Sequence, residues 1–336
     1  MNTVSDVVKY LEQIAPPALQ ESYDNSRLIY GDATRELTGV IVSLDALESV
    51  VDEAIAANAN LVVSHHPIVF SGLKSLTGAT YIERTIIKAI KHDIALYACH
   101  TNLDNVIHAG VNEKIGQAIG LENLQPLSPN RSLTQYDLHV SELLQPNLKK
   151  ALVEVLAYEM ESFGVTLDDS NGLRVTGPSF LSKKVRAACD KFNVVMTSSE
   201  IQTSAEMHIG AGAKGSLPLP MTENDFLTHL KDVFKLKVIR HTALLNKSIQ
   251  SVAVCGGSGS FLLRHAIAAK ADVFITADYK YHQFFDADNQ ILITDIGHFE
   301  SEQYTINLLA DLINGKFSTF AARCTEVETN PVRYFT

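Results

Sequence analysis

The sequence predicts an α/β protein whose core consists of two βαβ-type pseudo-repeats, with an inserted α+β ferredoxin-like module between them. Three observations predict this. The core strands are continuous apolar runs, which is typical of parallel sheets covered on both faces. A strand–helix–strand pattern occurs once in each half of the chain. Between the two copies stands a βαββαβ pattern, the order of a ferredoxin-like module.

The first copy begins with an apolar strand at 37–43 and continues through a helix at 46–57 to a second strand at 60–64. A later strand at 94–98 belongs to the same half. Strands that are joined through a helix run parallel with a right-handed crossover. Their carboxyl ends should therefore meet at one edge of a sheet.

The second copy has a strand at 249–254, a helix at 262–270 and strands at 271–276 and 291–294. The phrase Ala-Ile-Ala-Ala occurs at the matching place in both predicted helices. We interpret the match as a structural repeat. The alternative is that any two βαβ units look alike at this level.

The insert accounts for the residues between the copies. Its predicted strands are 136–140, 163–167, 173–176 and 193–197, and its predicted helices are 147–158 and 182–192. The turn 168–172 joins the two middle strands as a hairpin. A Gly- and Pro-rich stretch at 210–220 predicts a loop that returns to the core. The predicted organisation is a first core half (1–130), an inserted module (131–205) and a second core half (206–336).

Composition restricts the class of protein. The 336 residues suggest about two domains, and the net charge of −10 argues against nonspecific nucleic-acid binding. No stretch predicts a signal peptide or a membrane span. The four cysteines contain no CxxC pair, which indicates free thiols in a reducing cytoplasm. Any metal must then be bound by His, Asp and Glu.

Five residues at or after the ends of predicted strands form the candidate metal site: His65, His66, Asp104, His298 and Glu302. Imidazoles and carboxylates are ligands of Zn, Fe, Mn or Ni. Five such groups exceed the needs of one tetrahedral catalytic ion. They suit two divalent ions, about 3.5–4 Å apart, that share a bridging carboxylate. The alternative is a set of core histidines satisfied by carboxylates.

Spacing assigns further roles. His298 and Glu302 are four residues apart at a predicted helix start, so they share one face, and Glu302 can bridge the ions from there. His100 and Asp104 repeat that spacing. Two cations would favour deprotonation of a water near neutral pH. His100 is then the candidate general base, or a residue that orients a ligand.

Substrate contacts are predicted for Lys74, Asp278 and His282, with exposed loops as the alternative. Asp278 and His282 follow a predicted core strand and should face the same cleft. The glycine-rich turn 256–259 follows another strand and precedes a helix. Its amides suit either an anion or tight internal packing.

The residues at these positions resemble the Nif-three-like family (NGG-interacting-factor type), also known as GTP cyclohydrolase 1 type 2 homologues. The matching phrases are Ser64-His65-His66-Pro67, His100-Thr101-Asn102-Leu103-Asp104, Gly110-Val111-Asn112, Val252-Ala253-Val254-Cys255-Gly256-Gly257-Ser258-Gly259, and Gly297-His298 with Glu302. The chain departs from the family twice. The family's Trp-Asp-Asn-Val-Gly-Leu is Tyr-Asp-Asn-Ser-Arg-Leu at 23–28, and its Gly-Gly before Val-Asn is Ala109-Gly110.

The resemblance implies a dinuclear centre of Zn, Fe or Mn on an α/β core, facing the interior of a toroidal hexamer. It implies that His65, Asp104 and Glu302 hold one ion and that His66, His298 and Glu302 hold the other. It also fits an inserted ferredoxin-like (PII/CutA-like) module.

Two functions follow as expectations. The first is a metal-dependent hydrolase that acts on a nucleotide or related small molecule, with ring opening of the cyclohydrolase type as one form. The second is a non-catalytic metal carrier or a regulatory hexameric scaffold. Neither a nucleic acid nor a membrane is expected as a partner.

Overall fold

The computed structural model describes residues 2–170, 172–202 and 208–335 of the chain. Its helices are α1 (Val4–Ile14), α2 (Glu48–Ala56), α3 (Tyr81–Lys91), α4 (Thr101–Asp104), α5 (Val111–Ala118), α6 (Gln145–Phe163), α7 (Ser182–Asp190), α8 (Glu223–Phe234), α9 (Leu263–Ala268), α10 (His298–Glu302) and α11 (Thr305–Lys316). Its strands are β1 (Leu28–Tyr30), β2 (Val40–Asp45), β3 (Leu61–His66), β4 (Ala95–Ala98), β5 (Glu122–Pro129), β6 (Ser132–His139), β7 (Thr166–Asp168), β8 (Leu173–Gly177), β9 (Val195–Gln202), β10 (Gly210–Thr222), β11 (Arg240–His241), β12 (Ser248–Ser258), β13 (Val273–Ala277), β14 (Leu292–Asp295) and β15 (Ala322–Cys324).

The chain divides into two units. The larger contains the residues up to 127 and from 211 onward, and the smaller contains 128–210. Three sheets with helices between their strands confirm the predicted mixed α/β class. Asn171 of the predicted turn and the predicted module end at residue 205 lie outside the described residues. Within the described ranges, no helix has the length and apolar character needed to cross a membrane.

The first sheet of the larger unit contains the strands of the first predicted copy. Its order is β1-β4-β3-β2-β15, parallel except for the antiparallel edge strand β1. Leu61, Val62 and Val63 are fully buried because α2 and α11 pack against β3. The strand ends in His65-His66, and in the register Asp45 of β2 stands opposite His66. Both imidazoles and this carboxylate therefore emerge at the carboxyl edge of the sheet.

The second sheet has the order β11-β14-β13-β12-β10-β5, with β12, β13 and β14 parallel and β10 and β11 antiparallel to their neighbours. The register places Val252 beside Val273 and Val273 beside Leu292. Strand β14 ends at Asp295, and helix α10 begins three residues later with His298. This sheet also presents its functional residues at the carboxyl ends of its parallel strands.

The predicted loop at 210–220 is wrong. These residues belong to β10, which pairs with β12 at 213–216 and again at 221–222. The register shifts between Ser216 and Met221, and Pro218 and Pro220 lie in that interval. A proline has no amide to donate, so it fits a strand at an irregularity of this kind. The Gly and Pro content reflects a bulged strand rather than a connection.

The smaller unit contains an antiparallel sheet of order β7-β8-β6-β9 with two helices. Helix α7 packs against β6 and β9, α6 packs against β8, and the helices contact each other. Its core includes Tyr136, Leu148, Leu152, Leu156 and Val185, all fully buried. The Tyr136 hydroxyl donates to the carbonyls of Pro178 and Ser179, so its one buried polar group is satisfied.

The backbone conformation at residue 109 lowers the stability of the larger unit. Ala109, where the resembling family has glycine, has φ +56°. A left-handed conformation costs an alanine about 1–2 kcal/mol because Cβ approaches the following carbonyl. Its amide donates to Glu113 Oε2 at 2.8 Å, which keeps the turn before α5 in place.

We predict that Ala109→Gly raises the free energy of unfolding by about 0.5–1 kcal/mol. The relief of left-handed strain exceeds the extra freedom of glycine in the unfolded chain, which costs about 0.5–1 kcal/mol. Urea unfolding measures the difference. Ala56→Gly, at an exposed position of α2, is the control and should lower stability. Two variants that change stability in the same direction would contradict the strain at Ala109.

Candidate metal centre

The five predicted ligands converge around one carboxylate, that of Glu302. His65 and His66 end β3, Asp104 ends α4, and His298 and Glu302 begin and end α10. Glu302 is 3% exposed, and His65 is completely buried. The convergence follows from topology, because both parallel sheets of the larger unit present their carboxyl edges at this point.

The two oxygens of Glu302 face different partners. Oε2 lies 3.0 Å from His66 Nε2 and 3.2 Å from His298 Nε2. Oε1 lies 3.8 Å from His65 Nε2, which in turn lies 3.7 Å from Asp104 Oδ1. Neighbouring ligand atoms of a tetrahedral ion with bonds of about 2.0–2.1 Å are separated by about 3.3 Å. The spacing on both sides of the carboxylate is close to that value.

Each of the three ligand imidazoles is fixed through its other nitrogen. His65 Nδ1 lies 2.8 Å from the carbonyl oxygen of Cys99. His66 Nδ1 lies 2.9 Å from Asp45 Oδ1, and His298 Nδ1 lies 2.7 Å from Asp278 Oδ2. Because these oxygens are acceptors, the proton belongs on Nδ1 and the lone pair of Nε2 points toward the centre.

This arrangement crowds electron pairs. His66 Nε2 and His298 Nε2 are 3.3 Å apart, and both face Glu302 Oε2. His65 Nε2 and Asp104 Oδ1 are buried and have no hydrogen-bond partner. Acceptors left without a proton or cation in such a place are costly. Divalent ions would satisfy them, so the donor set fits a metal.

The pKa values of the metal-free side chains express the same crowding. Burial opposes the charge on His66, but the hydrogen bonds to Asp45 and Glu302 outweigh it and raise its pKa to about 9. The corresponding bonds to Asp278 and Glu302 outweigh burial at His298 and raise its pKa to about 11. Burial raises the pKa of Asp104. Protons therefore compete with cations for the same lone pairs.

His100 lies beside the centre. Its ring centroid is 5.2 Å from that of His65 and 5.3 Å from that of His66. The ligand atoms of these three histidines lie within 4.8 Å of one another, as do those of His66, His298 and Glu302. Either group has the composition and spacing of a metal site.

Asp24 positions His100, and sequence reasoning missed it. Its Oδ1 lies 2.8 Å from His100 Nδ1, and its side chain is completely buried. Thr101 and Ser26 donate their hydroxyls to the other oxygen. These bonds outweigh burial and hold the pKa of Asp24 well below its usual range. A charged carboxylate on Nδ1 leaves His100 Nε2 free to accept a proton.

Sequence reasoning also missed the role of Asp45 and gave Asp278 a different one. Both carboxylates stand at or just after the end of a parallel strand. The same position in the sequence had predicted the five metal ligands. Asp278 has φ +59°, a left-handed backbone that directs its carboxylate to His298. The sequence alone did not indicate which carboxylates face an Nε2 atom of the cluster and which hold an imidazole through Nδ1.

The other predicted substrate residues lie in exposed places. Lys74 is in the loop between β3 and α3, and His282 is in a short 3₁₀ helix next to Tyr281 and Phe285. Among the hydrogen bonds and ion pairs of the described residues, neither side chain contacts the centre. Asp278 alone of the predicted substrate residues does.

A cavity of about 440 Å³ opens beside His66 and His298. Apolar side chains form part of its wall, among them Val238, Ile296 and Val332. Arg240 also lines it and pairs with Asp295 at 3.0 Å. A small molecule in this cavity would adjoin the two most accessible histidines of the centre.

The predicted glycine-rich turn is wrong in part, because residues 256–258 belong to β12, where its register with β13 shifts; these residues are used for packing. The amide of Gly256 donates to Asn112 Oδ1, that of Gly257 to Ser301 Oγ, and that of Gly259 to Thr276 Oγ1, at 2.9–3.0 Å. With these three amides bonded internally, the alternative of an anion cradle loses its donors. This end of β12 packs against α10, so that Glu302 reaches the centre.

Comparisons of the sequence and of the fold with known proteins point to the same family. A profile of Duf34/NIF3 (NGG1p interacting factor 3) matches residues 2–331. A relative from Halalkalibacterium halodurans, named GTP cyclohydrolase 1 type 2 homolog, is 30% identical over 330 residues, covering 87% of each chain. A relative of that name from Bacillus subtilis is 28% identical over 368 residues, covering 98% of this chain and 97% of its own. The solved structure of a Bacillus cereus protein related to NIF3 matches with a TM-score of 0.80 and 27% identity, over 100% of this chain and 99% of that one.

We predict that Gly257→Ala displaces Glu302 and weakens divalent-ion binding at least tenfold. Gly257 has φ +61°, and a Cβ there would lie 2.4 Å from Glu302 Oε1 and 3.2 Å from His298 Nε2. The left-handed backbone adds about 1–2 kcal/mol of destabilisation. Chelator competition measures affinity, and urea unfolding measures stability.

Gly120→Ala is the matched control. Gly120 also has a left-handed φ of +79°, but a Cβ there meets nothing within 4 Å. It should therefore lose stability without losing ion affinity. Equal ion affinities in the two variants would rule out a close approach of Gly257 to the centre.

Proposed function

The chain belongs to the Duf34/NIF3 family, and we propose that it is a dinuclear metal protein that acts as a metal-dependent hydrolase on a nucleotide or related small molecule. The observation that carries the proposal is the carboxylate of Glu302, whose two oxygens face two separate sets of donors. A bridging carboxylate of this kind is typical of paired ions.

In the proposed centre, His65, Asp104 and Glu302 would hold one ion, and His66, His298 and Glu302 would hold the other. The ions are Zn, Fe or Mn, which accept mixed imidazole and carboxylate ligands. When bound, such ions supply Lewis acidity that activates water near neutral pH. Asp45 and Asp278 hold the Nδ1 atoms of His66 and His298, so that the Nε2 atoms are aimed inward, where a bound ion would take the place of a proton.

His100 is the proposed general base. With Nδ1 held by Asp24, its Nε2 accepts the proton of the attacking water and can return it to the leaving group. Asp24 stabilises the imidazolium that forms in between, because the carboxylate is buried beside the ring and keeps its charge.

The substrate is proposed from the names of relatives. Two of them are named GTP cyclohydrolase 1 type 2 homolog, which points to hydrolytic ring opening of a nucleotide or a similar heterocycle. Lys74, Asp278 and His282 are the proposed substrate contacts. Of these, Asp278 stands closest to the chemistry because its carboxylate contacts a proposed ligand.

The second candidate is a non-catalytic metal carrier or regulatory scaffold. The glycine-rich turn favours it, since three of its amides bond internally and provide no phosphate cradle there. A carrier needs the ligand set but has no need of a charged residue that holds His100. The Asp24–His100 pair therefore favours the hydrolase.

We also propose that the core is a structural repeat, that residues 131–205 form a ferredoxin-like module, and that the chain assembles as a hexamer. The β2-α2-β3 and β12-α9-β13 units are both parallel, and each sheet delivers ligands at the same edge. The strand order β9-β6-β8-β7 is the antiparallel arrangement that the βαββαβ pattern gives in ferredoxin-like folds. The toroidal hexamer rests on the family resemblance.

We predict about two ions per purified chain after supplementation with Zn, Fe or Mn. Glu302→Ala should remove at least one, because it deletes the proposed bridge. Glu48→Ala is the control, since this glutamate pairs with Arg84 on the surface and should leave the count unchanged. Elemental analysis measures it. A content below about half an ion per chain, identical in Glu302→Ala, would end the proposal.

We predict that His100→Ala keeps its ions and loses about 10²–10⁴-fold in hydrolytic turnover. The control is His241→Ala, at an exposed histidine of β11. Elemental analysis and a turnover screen with nucleotide substrates are run on the same samples. Loss of metal would make His100 a ligand, and unchanged turnover with full metal would make it structural.

We predict that replacing residues 131–205 with a short Gly-Ser linker leaves a folded core that keeps its ions and still assembles as a hexamer. The flanking backbone makes this feasible, since the amide of Asn130 donates to the carbonyl of Ile209 at 2.9 Å. Light scattering and elemental analysis compare the shortened and full chains. An insoluble or metal-free product contradicts the module, and a monomeric full chain contradicts the hexamer.

A further inference from the structure

The segment 325–335 forms no helix or strand, and four of its residues line the cavity beside His66 and His298. It follows β15, which extends the first sheet by pairing with β2. Most of its residues are exposed, but Thr329 is 4% exposed. A buried threonine in an extended, mostly exposed segment indicates a specific contact.

That contact is with the residue that holds His66. The Thr329 hydroxyl donates to Asp45 Oδ2 at 3.0 Å, while Asp45 Oδ1 lies 2.9 Å from His66 Nδ1. A continuous chain therefore runs from the segment through the carboxylate to the imidazole. His66 Nε2 at its end lies 3.0 Å from Glu302.

The imidazoles of the centre are held by different kinds of partner. His65 is held by a backbone carbonyl, which the fold itself fixes. Asp45 is a side chain with 30% exposure at the end of β2, so water competes for its oxygens and other rotamers are open to it. A hydroxyl on Oδ2 selects the rotamer in which Oδ1 reaches His66.

The segment is fixed on both sides of Thr329. Before it, Thr325 donates its hydroxyl to Glu53, whose other oxygen accepts the amide of Glu326 at 2.9 Å. After it, Asn330 Nδ2 donates to Glu300 Oε1 at 3.2 Å. Asn330 also lines the cavity next to His66 and His298, together with Pro331, Val332 and Tyr334.

We propose that the 325–335 segment is part of the metal centre and that Thr329 is a positioning residue for His66. Through Asp45, it holds His66 Nε2 toward the ion shared with His298 and Glu302. The inference rests on the proposed metal function. It adds that ion retention on the His66 side depends on a segment outside the core elements.

The experiment compares four variants with the wild-type chain. Thr329→Val keeps the shape and removes the hydroxyl, and Thr329→Ser restores it. Thr325→Val removes a second hydroxyl contact of the same segment, which ends on Glu53 rather than on the centre. Asp45→Asn marks the effect of changing the direct partner, which is about 10–100-fold for residues that orient a metal ligand.

Ion affinity is measured by competition of Zn²⁺ with a chelator, and geometry by the visible spectrum of the Co²⁺-loaded protein. We expect Thr329→Val to weaken one of two ions about three- to tenfold and to alter the Co²⁺ spectrum. Thr329→Ser and Thr325→Val should resemble the wild type. The melting temperature of each variant shows that the chain is folded.

The outcomes separate the two proposals. A wild-type chain that takes up two ions, with Thr329→Val unchanged, overturns the role of Thr329 alone. Equal weakening in Thr325→Val also overturns it, since the effect would then come from general loosening of the segment. A wild-type chain that binds no Zn²⁺ overturns the proposed function and this inference together.

Discussion

The carboxylate of Glu302 sits where the two sheets of the larger unit present their carboxyl edges, and its position constrains everything around it. It is buried, and donor atoms surround both of its oxygens. Buried anions need compensating charge. The glycine-rich end of β12, the start of α10 at His298 and the end of β3 all meet at this carboxylate. A larger residue at Gly257 would take the space that Oε1 occupies.

The surrounding residues control where protons go. The partners of His66 and His298 are carboxylates, and the partner of His65 is a carbonyl, so all three rings direct a lone pair inward. His100 is arranged in the same way by Asp24. The result is a concentration of acceptors that only protons or cations can relieve. This electrostatic demand supports a metal more strongly than the residue types alone.

The chain departs from its family at points of different consequence. At 109 an alanine stands in a left-handed backbone, which costs stability but leaves the centre intact. At 23–28 the substitutions surround Asp24, and the residue that holds His100 is retained. The side chain at 26 is serine here, and its hydroxyl accepts the amide of His100 and donates to Asp24. Residues 24 and 26 of this stretch are therefore in direct contact with His100, the proposed base.

The sequence by itself determined the mixed α/β class and the five residues that converge. Continuous apolar runs such as 61–63 are typical of strands buried on both faces, and residues after parallel strands meet at one edge. It did not determine every strand of the second sheet. The stretch 210–220 was expected to be a loop because Gly and Pro weigh against strands locally, whereas pairing with β12 overrides that preference.

Only the tertiary structure decided which carboxylate serves which purpose. Asp45, Asp104 and Asp278 are chemically identical and all follow predicted strands or lie near them. Their roles differ because Asp104 faces the Nε2 atom of an imidazole, whereas Asp45 and Asp278 face Nδ1 atoms. These positions differ by only a few ångströms. Contacts such as that between Thr329 and Asp45 join residues 284 positions apart, and no local pattern in the sequence encodes them.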